Sequence, residues 1–219
     1  MHPRATAIIP AYNEEPTVGS VVEAIRSSPL IDEVIVVCDG SEDRTAEVAA
    51  AAGARVLALP KKGGKGEAML RGVAHTDAPV ILFADADLVG FTPDHVERIL
   101  LPVLSGARAM NVGLRDRGPI GNWLMPRLPL VGGERALVRQ VIEGVPPEHV
   151  RGFMVEAALN YYCRSRKLPY GSVALPALTI RRKIDKVGWK RGIQQYARMW
   201  FQVALAMIAV RIARLFKRF

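Results

Sequence analysis

A chain of 219 residues, half of them apolar, is long enough to bury one core of ordinary size without disulfide or metal staples. Two widely separated cysteines, Cys38 and Cys163, exclude a disulfide framework and a thiolate metal site, and suit core packing in a reducing compartment. The net charge of +9 is unevenly spread: residues 1–109 carry 10 Lys and Arg against 15 Asp and Glu, residues 110–219 carry 20 against 6, so the acidic half would repel nucleic acid while the basic half suits an anionic membrane surface or a phosphorylated acceptor.

The first apolar run, Ala5 to Ile9, is too short for a secretory signal and leads straight into Pro10 and charged residues, which predicts a cytoplasmic protein. It reads as a strand followed by a polar turn, Pro10-Ala11-Tyr12-Asn13-Glu14-Glu15, and a helix from near Pro16 to before Pro29. A second strand, Glu33 to Val37, leads through Asp39-Gly40-Ser41 into a helix from Asp43 to Ala52 that Gly53 stops. Arg55 to Leu59 is a third strand and Lys65 to Thr76 a third helix. Pro79 to Ala84 reads as a buried strand, Thr92 caps a fourth helix with His95 on its surface side, and Ala107 to Val112 returns as a strand. Alternating strands and helices predict an α/β fold with a parallel sheet covered on both faces.

After Leu114 the periodicity lapses, and residues 115–131 read as a long functional loop. A helix is predicted from Gly132-Gly133-Glu134-Arg135 to Gly144, and another over Val155 to Arg166. Ser172 to Ile180, broken by Pro176, reads as an edge strand. His149 follows two prolines in a loop and carries no assigned role. Met199 to Val210 is apolar but falls short of the about 20 residues that cross a bilayer core. Ile208, Ile212, Leu215 and Phe219 share one helical face and Arg211, Arg214 and Arg218 another, the pattern of a helix lying on an anionic membrane.

The chemistry concentrates at strand ends. Asp85-Ala86-Asp87 follows the buried strand, and two carboxylates spaced this way can share one hard divalent cation, Mg²⁺ or Mn²⁺, whose shell substrate phosphates complete. Lys61-Lys62-Gly63-Gly64-Lys65-Gly66 sets cations and free backbone N–H groups before a helix, which suits a diphosphate. Arg115, Arg117, Arg127, Arg135 and Arg139 form a run of guanidinium forks able to hold an acceptor phosphate. Glu134 and Glu156 are the candidate bases, needed if the acceptor is an alcohol and dispensable if it is a phosphate.

Taken in order, Ile-Ile-Pro-Ala-Tyr-Asn-Glu-Glu, Val-Val-x-Asp-Gly-Ser-x-Asp-x-Thr, Lys-Gly-Gly-Lys-Gly-Glu-Ala and Ala-Asp-Ala-Asp-Leu resemble the family 2 glycosyltransferases of the GT-A fold, over roughly residues 4–185. The resemblance implies a GT-A domain at 1–185, with a nucleotide-sugar half at 1–114 and an acceptor half at 115–185, then a basic amphipathic helical tail at 186–219. It implies a nucleotide pocket of Pro10, Tyr12, Glu14 and Asp39, a diphosphate contact at Lys65, and a metal held by Asp85 and Asp87, the second Asp being the more regular direct ligand. Two departures stand out: Cys38 occupies the position of a second Asp, and Thr179-Ile180-Arg181-Arg182-Lys183 lacks the histidine that some relatives use as a metal ligand.

These features predict a metal-dependent hexosyltransferase using a nucleotide-diphosphate sugar. The basic half and the tail favour a polyprenyl phosphate acceptor at the cytoplasmic membrane face, as in dolichol-phosphate mannosyltransferase-like enzymes, with Arg115, Arg117, Arg135 and Arg139 on the acceptor phosphate. The alternatives are transfer to a soluble phosphorylated glycerate, as in glucosyl-3-phosphoglycerate synthase-like enzymes, and a non-catalytic sugar-nucleotide-binding protein. Nucleotidyl transfer is disfavoured because no Gly-rich loop follows the first strand. The sequence leaves the oligomeric state open, a homo-oligomer included.

Overall fold

The computed structural model describes residues 5–115, 132–150 and 154–180. Of the loop expected at 115–131 only Arg115 is among them; Arg117, Arg127, the basic residues at 181–191 and the tail lie outside. The first half runs β1 (Ala5–Ala11), α1 (Val18–Arg26), β2 (Glu33–Asp39), α2 (Thr45–Ala51), β3 (Arg55–Leu59), α3 (Lys65–Val73) and β4 (Val80–Phe83). Then follow β5 (Leu88–Val89), α4 (Pro93–Leu104), β6 (Met110–Arg115), β7 (Arg135–Val138), α5 (Arg139–Glu143), a 3₁₀ turn at Pro147–His149, α6 (Met154–Ser165), β8 (Tyr170–Leu175) and β9 (Thr179–Ile180).

Seven strands form one sheet in the order β3-β2-β1-β4-β7-β6-β8, and β5 pairs with β9 in a small second ribbon. Strand β1 lies between β2 and β4 and runs parallel to both, with Ile8 opposite Ile35 and Phe83. From β1 the chain therefore builds outward in two directions, which opens a crevice at the carboxyl ends of the strands. Alternate residues of the central strands enter opposite cores. Ala7, Ile9, Val36, Cys38 and Leu82 pack with Val18, Val21, Val22 and Ile25 of α1 and Val96, Ile99 and Leu100 of α4. Ile8, Ile35, Val37, Ile81 and Phe83 pack with Ala68 and Met69 of α3, Val141 and Ile142 of α5, and Val155 and Leu159 of α6. The buried positions of α1 recur at the three- and four-residue spacing of a one-sided helix. The result is the mostly parallel, helix-flanked sheet of the GT-A class, and both cysteines are buried and free, as expected.

Three local expectations are corrected. Residues 135–138 are not the start of a helix but strand β7, antiparallel to both β4 and β6 and buried between them, so tertiary pairing overrides local helix propensity. His95 is buried: its Nδ1 accepts from the Thr92 N–H at 3.3 Å, in a capping box with the Thr92 side chain, and its Nε2 meets the Pro176 carbonyl at 2.9 Å. The strand broken at Pro176 is two strands, β8 at the sheet edge and β9 against β5. Among the described residues no helix is long and apolar enough to cross a membrane.

Helix α3 lies against β1 closely enough that a methyl group at Gly72 would come within 2.4 Å of the buried Ile8 Cγ2. Gly72→Ala is expected to destabilise the protein by about 1–3 kcal/mol in urea unfolding, through overpacking. An unchanged midpoint would show that α3 shifts off the sheet at little cost.

Candidate active site

The turns after β1 and β2 are stitched together. Asn13, at φ 55, a left-handed conformation that Asn tolerates, accepts the Glu42 N–H on its side-chain oxygen at 2.9 Å. The Asn13 N–H reaches the Ser41 hydroxyl at 3.2 Å, the Glu14 N–H the Thr45 hydroxyl at 2.8 Å, and the Glu15 N–H Asp43 at 3.2 Å. Glu15 in turn accepts from Arg44 through Nε at 3.0 Å and Nη2 at 2.6 Å. This stitching fixes Pro10, Tyr12 and Glu14 on one wall of the crevice, with the Lys62 ammonium 3.3 Å from the centre of the Tyr12 ring. The Glu15–Arg44 fork escapes sequence reasoning, because residues in different turns carry no periodic signal.

Asp39, the last residue of β2, is buried, and its two oxygens accept the Gly63 and Gly64 N–H groups at 2.7 and 2.8 Å. It thereby anchors the lysine-glycine turn that opens α3. Gly40, at φ +70, passes so close to that turn that a Cβ would lie 2.8 Å from the Lys62 nitrogen. Of the sequence-predicted phosphate contacts in this turn, Lys65 is the one delivered to the carboxylates.

The Lys65 ammonium lies 2.7 Å from Asp85 Oδ1, just beyond β4, and 3.3 Å from Glu156 Oε1 in the first turn of α6. Arg115, the last residue of β6, is 3.5 Å from Asp85 Oδ2 and 3.2 Å from Glu134 Oε2. Gly133 is pressed against the same carboxylate, where a Cβ would meet Asp85 Oδ2 at 2.1 Å. Lys65, Asp85, Arg115, Glu134 and Glu156 thus converge at the carboxyl end of β4. Asp87 follows in the turn before β5, and its charge helps hold the Arg115 guanidinium protonated. Strand β9 ends with Ile180 opposite Leu88, beside Asp87.

Two predicted acceptor arginines are engaged elsewhere. Arg135 is wholly buried and donates to backbone carbonyls, with Nη2 4.0 Å from Glu156 Oε2. Arg139 lies at the amino end of β4, where it donates to the carbonyls of Val73, Thr76 and Ala78 and pairs with Glu143 at 3.1 Å. The antiparallel course of β7 carries it there, away from the carboxylates.

Burial alone would lower the Lys65 ammonium, but Asp85 and Glu156 outweigh it and hold Lys65 above its ordinary range. Burial alone would raise Asp85, but Lys65 and then Arg115 hold it below the usual carboxylate range. Burial, and then the Asp85 charge, push Glu134 up to about 7 against the pull of Arg115. Glu134 has no exposed surface, and its Oε1 has no hydrogen-bond partner. Among the described residues no three His, Cys, Asp or Glu side chains form a group that could hold a metal ion. The two carboxylates of Asp85 and Asp87, hard oxygen donors, suit Mg²⁺ or Mn²⁺, which takes its remaining ligands from phosphate and water.

The family model described as glycosyl transferase family 2 matches residues 6–160. Glucosyl-3-phosphoglycerate synthase of Mycolicibacterium smegmatis is 36% identical over 189 residues, covering 70% of this chain, and the chain spans 62% of the length of that curated relative. Among solved structures, glucosyl-3-phosphoglycerate synthase from Mycobacterium tuberculosis with Mn²⁺, uridine diphosphate and phosphoglyceric acid superposes with a TM-score of 0.79 at 27% identity, covering 95% of this chain and 78% of the other. The same enzyme with Mn²⁺, UDP-glucose and phosphoglyceric acid gives 0.71 at 29% identity, covering 85% and 75%.

The raised Glu134 has a pH signature. Because its folded value lies above its unfolded one, the stability it contributes is complete below about pH 4.5 and is lost as pH rises through about 7. In metal-free urea unfolding between pH 5 and 8, wild type is expected to lose roughly 2–3 kcal/mol more than Glu134→Gln. Identical pH slopes in the two proteins would show that Glu134 does not ionise across this window.

Proposed function

We propose that this chain, which belongs to glycosyl transferase family 2, transfers a glucosyl group from UDP-glucose to a hydroxyl of a phosphorylated glycerate. The observation that carries the reading is the convergence of Lys65, Asp85, Arg115, Glu134 and Glu156 at the carboxyl end of β4, in a chain similar to glucosyl-3-phosphoglycerate synthases. Those relatives draw the acceptor away from polyprenyl phosphate, which the basic half and the amphipathic tail had favoured, and toward a small soluble phosphate.

In the proposed transfer the bond between the sugar's anomeric carbon and the β-phosphate oxygen breaks, its electron pair leaves with UDP, and the glycerate oxygen bonds to the anomeric carbon and gives up its proton. Pro10, Tyr12 and Glu14, on the wall stitched to the β2 turn, hold the nucleoside, and Asp39 keeps the lysine-glycine turn against it. Lys65 faces the diphosphate from the start of α3, and Arg115 faces the acceptor side. Asp85 and Asp87 would hold Mg²⁺ or Mn²⁺, with Asp87, the second Asp of the motif, as the more regular direct ligand by the resemblance. That metal, when bound, supplies Lewis-acid stabilisation of the departing diphosphate. An alcohol acceptor requires a base, and the candidate carboxylates Glu156, beside Lys65, and Glu134, beside Arg115, both stand in this cluster.

UDP release from UDP-, GDP- and dTDP-glucose, measured with Mg²⁺ or Mn²⁺, is expected to be selective for UDP-glucose and stimulated by 3-phosphoglycerate but not by polyprenyl phosphate. Stimulation by the lipid alone would return the acceptor to the membrane. Asp87→Ala is expected to lower metal-dependent turnover by about 10²–10³-fold, the scale of losing one preorganised electrostatic group, with the melting temperature retained. Turnover within a factor of two of wild type would remove Asp87 from the metal site.

A further inference from the structure

Arg135 is the bulkiest wholly buried side chain among the described residues, and its hydrogen bonds go to Gly132, Met110 and Glu156. It stands in β7, an inner strand between β4 and β6, opposite Phe83 on one side and Val112 on the other. A guanidinium does not shed its proton, so one taken wholly out of water persists only where acceptors surround it. Here Nε and Nη2 donate to the Gly132 carbonyl at 3.2 and 2.6 Å. Nη1 donates to the Glu156 carbonyl at 3.4 Å and lies 3.9 Å from the Met110 sulfur, while Nη2 stands 4.0 Å from Glu156 Oε2.

These contacts join two pieces of chain directly. One is the turn that carries Gly133 against Asp85, and the other is the first turn of α6, which carries Glu156 to Lys65. We propose that Arg135 is a positioning residue: by gripping Gly132 and Glu156 with one planar fork it sets Glu156 against Lys65, and so fixes where Lys65 stands between Glu156 and Asp85. For its kinetic consequence this rests on the transferase reading above. Arg135 meets no substrate, and its effect on turnover passes through Glu156.

A residue that merely fills the core would lower activity by the same factor whatever stands at position 156. A residue acting through Glu156 loses its effect once that carboxylate is gone. The test is a double-mutant cycle on kcat/KM for 3-phosphoglycerate at saturating UDP-glucose and Mn²⁺, using Arg135→Met, Glu156→Gln and the pair. Arg135→Met is expected to cost at least tenfold in the Glu156 protein and less than twofold in the Glu156→Gln protein; equal factors in both would overturn the proposal. If Arg135→Met does not fold, Arg135→Lys takes its place in the cycle, since it keeps the charge but loses the fork. Full kcat/KM in Arg135→Lys would reduce Arg135 to a buried charge and also overturn the proposal.

If wild type gives no transfer from UDP-glucose to phosphoglycerate, the functional reading fails and the positioning role is decided without substrate. Urea unfolding of Arg135→Met, Lys65→Met and their double mutant is then compared in the Glu156 and Glu156→Gln backgrounds. Coupling between positions 135 and 65 that is present with Glu156 and absent with Gln sustains the proposal, and its absence in both backgrounds overturns it.

Discussion

The Lys65 ammonium, shared between Asp85 and Glu156, is the constraint around which the site is organised. It joins the start of α3, the end of β4 and the first turn of α6, three elements with no covalent reason to meet. Its side chain is 24% exposed and that of Asp85 22%, so neither charge is well hydrated and each is held by the other. Charge alternates outward from this pair: Arg135 faces Glu156, Glu156 faces Lys65, Lys65 faces Asp85, Asp85 faces Arg115, and Arg115 faces Glu134. Removing any inner member would strand a buried charge on each side of it, which is why the chain of charges acts as a unit rather than as separate pairs.

Close approach to these charges dictates the small residues around them. Gly63 and Gly64 present bare N–H groups to Asp39, and Gly133 leaves room for Asp85, which a single added carbon would displace. Asp39 therefore does two things that a reading of its motif merges into one. In the proposed function it stands at the nucleoside end of the crevice, and in the structure it secures the turn from which Lys65 reaches the carboxylates. A ligand that pulls on Asp39 is mechanically linked to Lys65 through two hydrogen bonds and one residue of backbone.

Much of this was legible beforehand, for a physical reason. Strands β1, β2 and β4 are apolar runs buried on both faces, each followed by polar turn residues, and such a pattern has few other readings. Arg55 to Leu59 was bounded by Gly53 and Pro60 and fell where expected. Arg135 to Val138 was not legible, because four residues bearing two long side chains and two small or branched ones satisfy a helix turn and a short strand equally. Only the gap between β4 and β6, which no local signal reports, decides for the strand. That one misassignment also explains Arg139, which shares a basic run with Arg115 and Arg135 in sequence. Val138 lies opposite Val80 and Arg135 opposite Phe83, so β7 moves the chain from the carboxyl to the amino end of β4 within four residues. His95 misled for a related reason: a polar ring at the edge of the helix's buried stripe, one turn before Ile99, reads as exposed, yet the turn after β8 covers it.

The charge balance bears on the proposed acceptor. Lys65, Arg115 and Arg135 are set against Asp85, Glu156, Asp87 and the partly ionised Glu134, so the described cluster holds no surplus of positive charge. A divalent metal with a nucleotide-diphosphate sugar brings roughly compensating charge to this arrangement. A phosphorylated glycerate, carrying a phosphate and a carboxylate, does not, and its charge calls for cations beyond the cluster. The chain holds them in its second half, where 20 Lys and Arg stand against 6 Asp and Glu. The basic half that suggested a membrane surface therefore has a second electrostatic explanation, in which the polyanion it balances is the small acceptor itself.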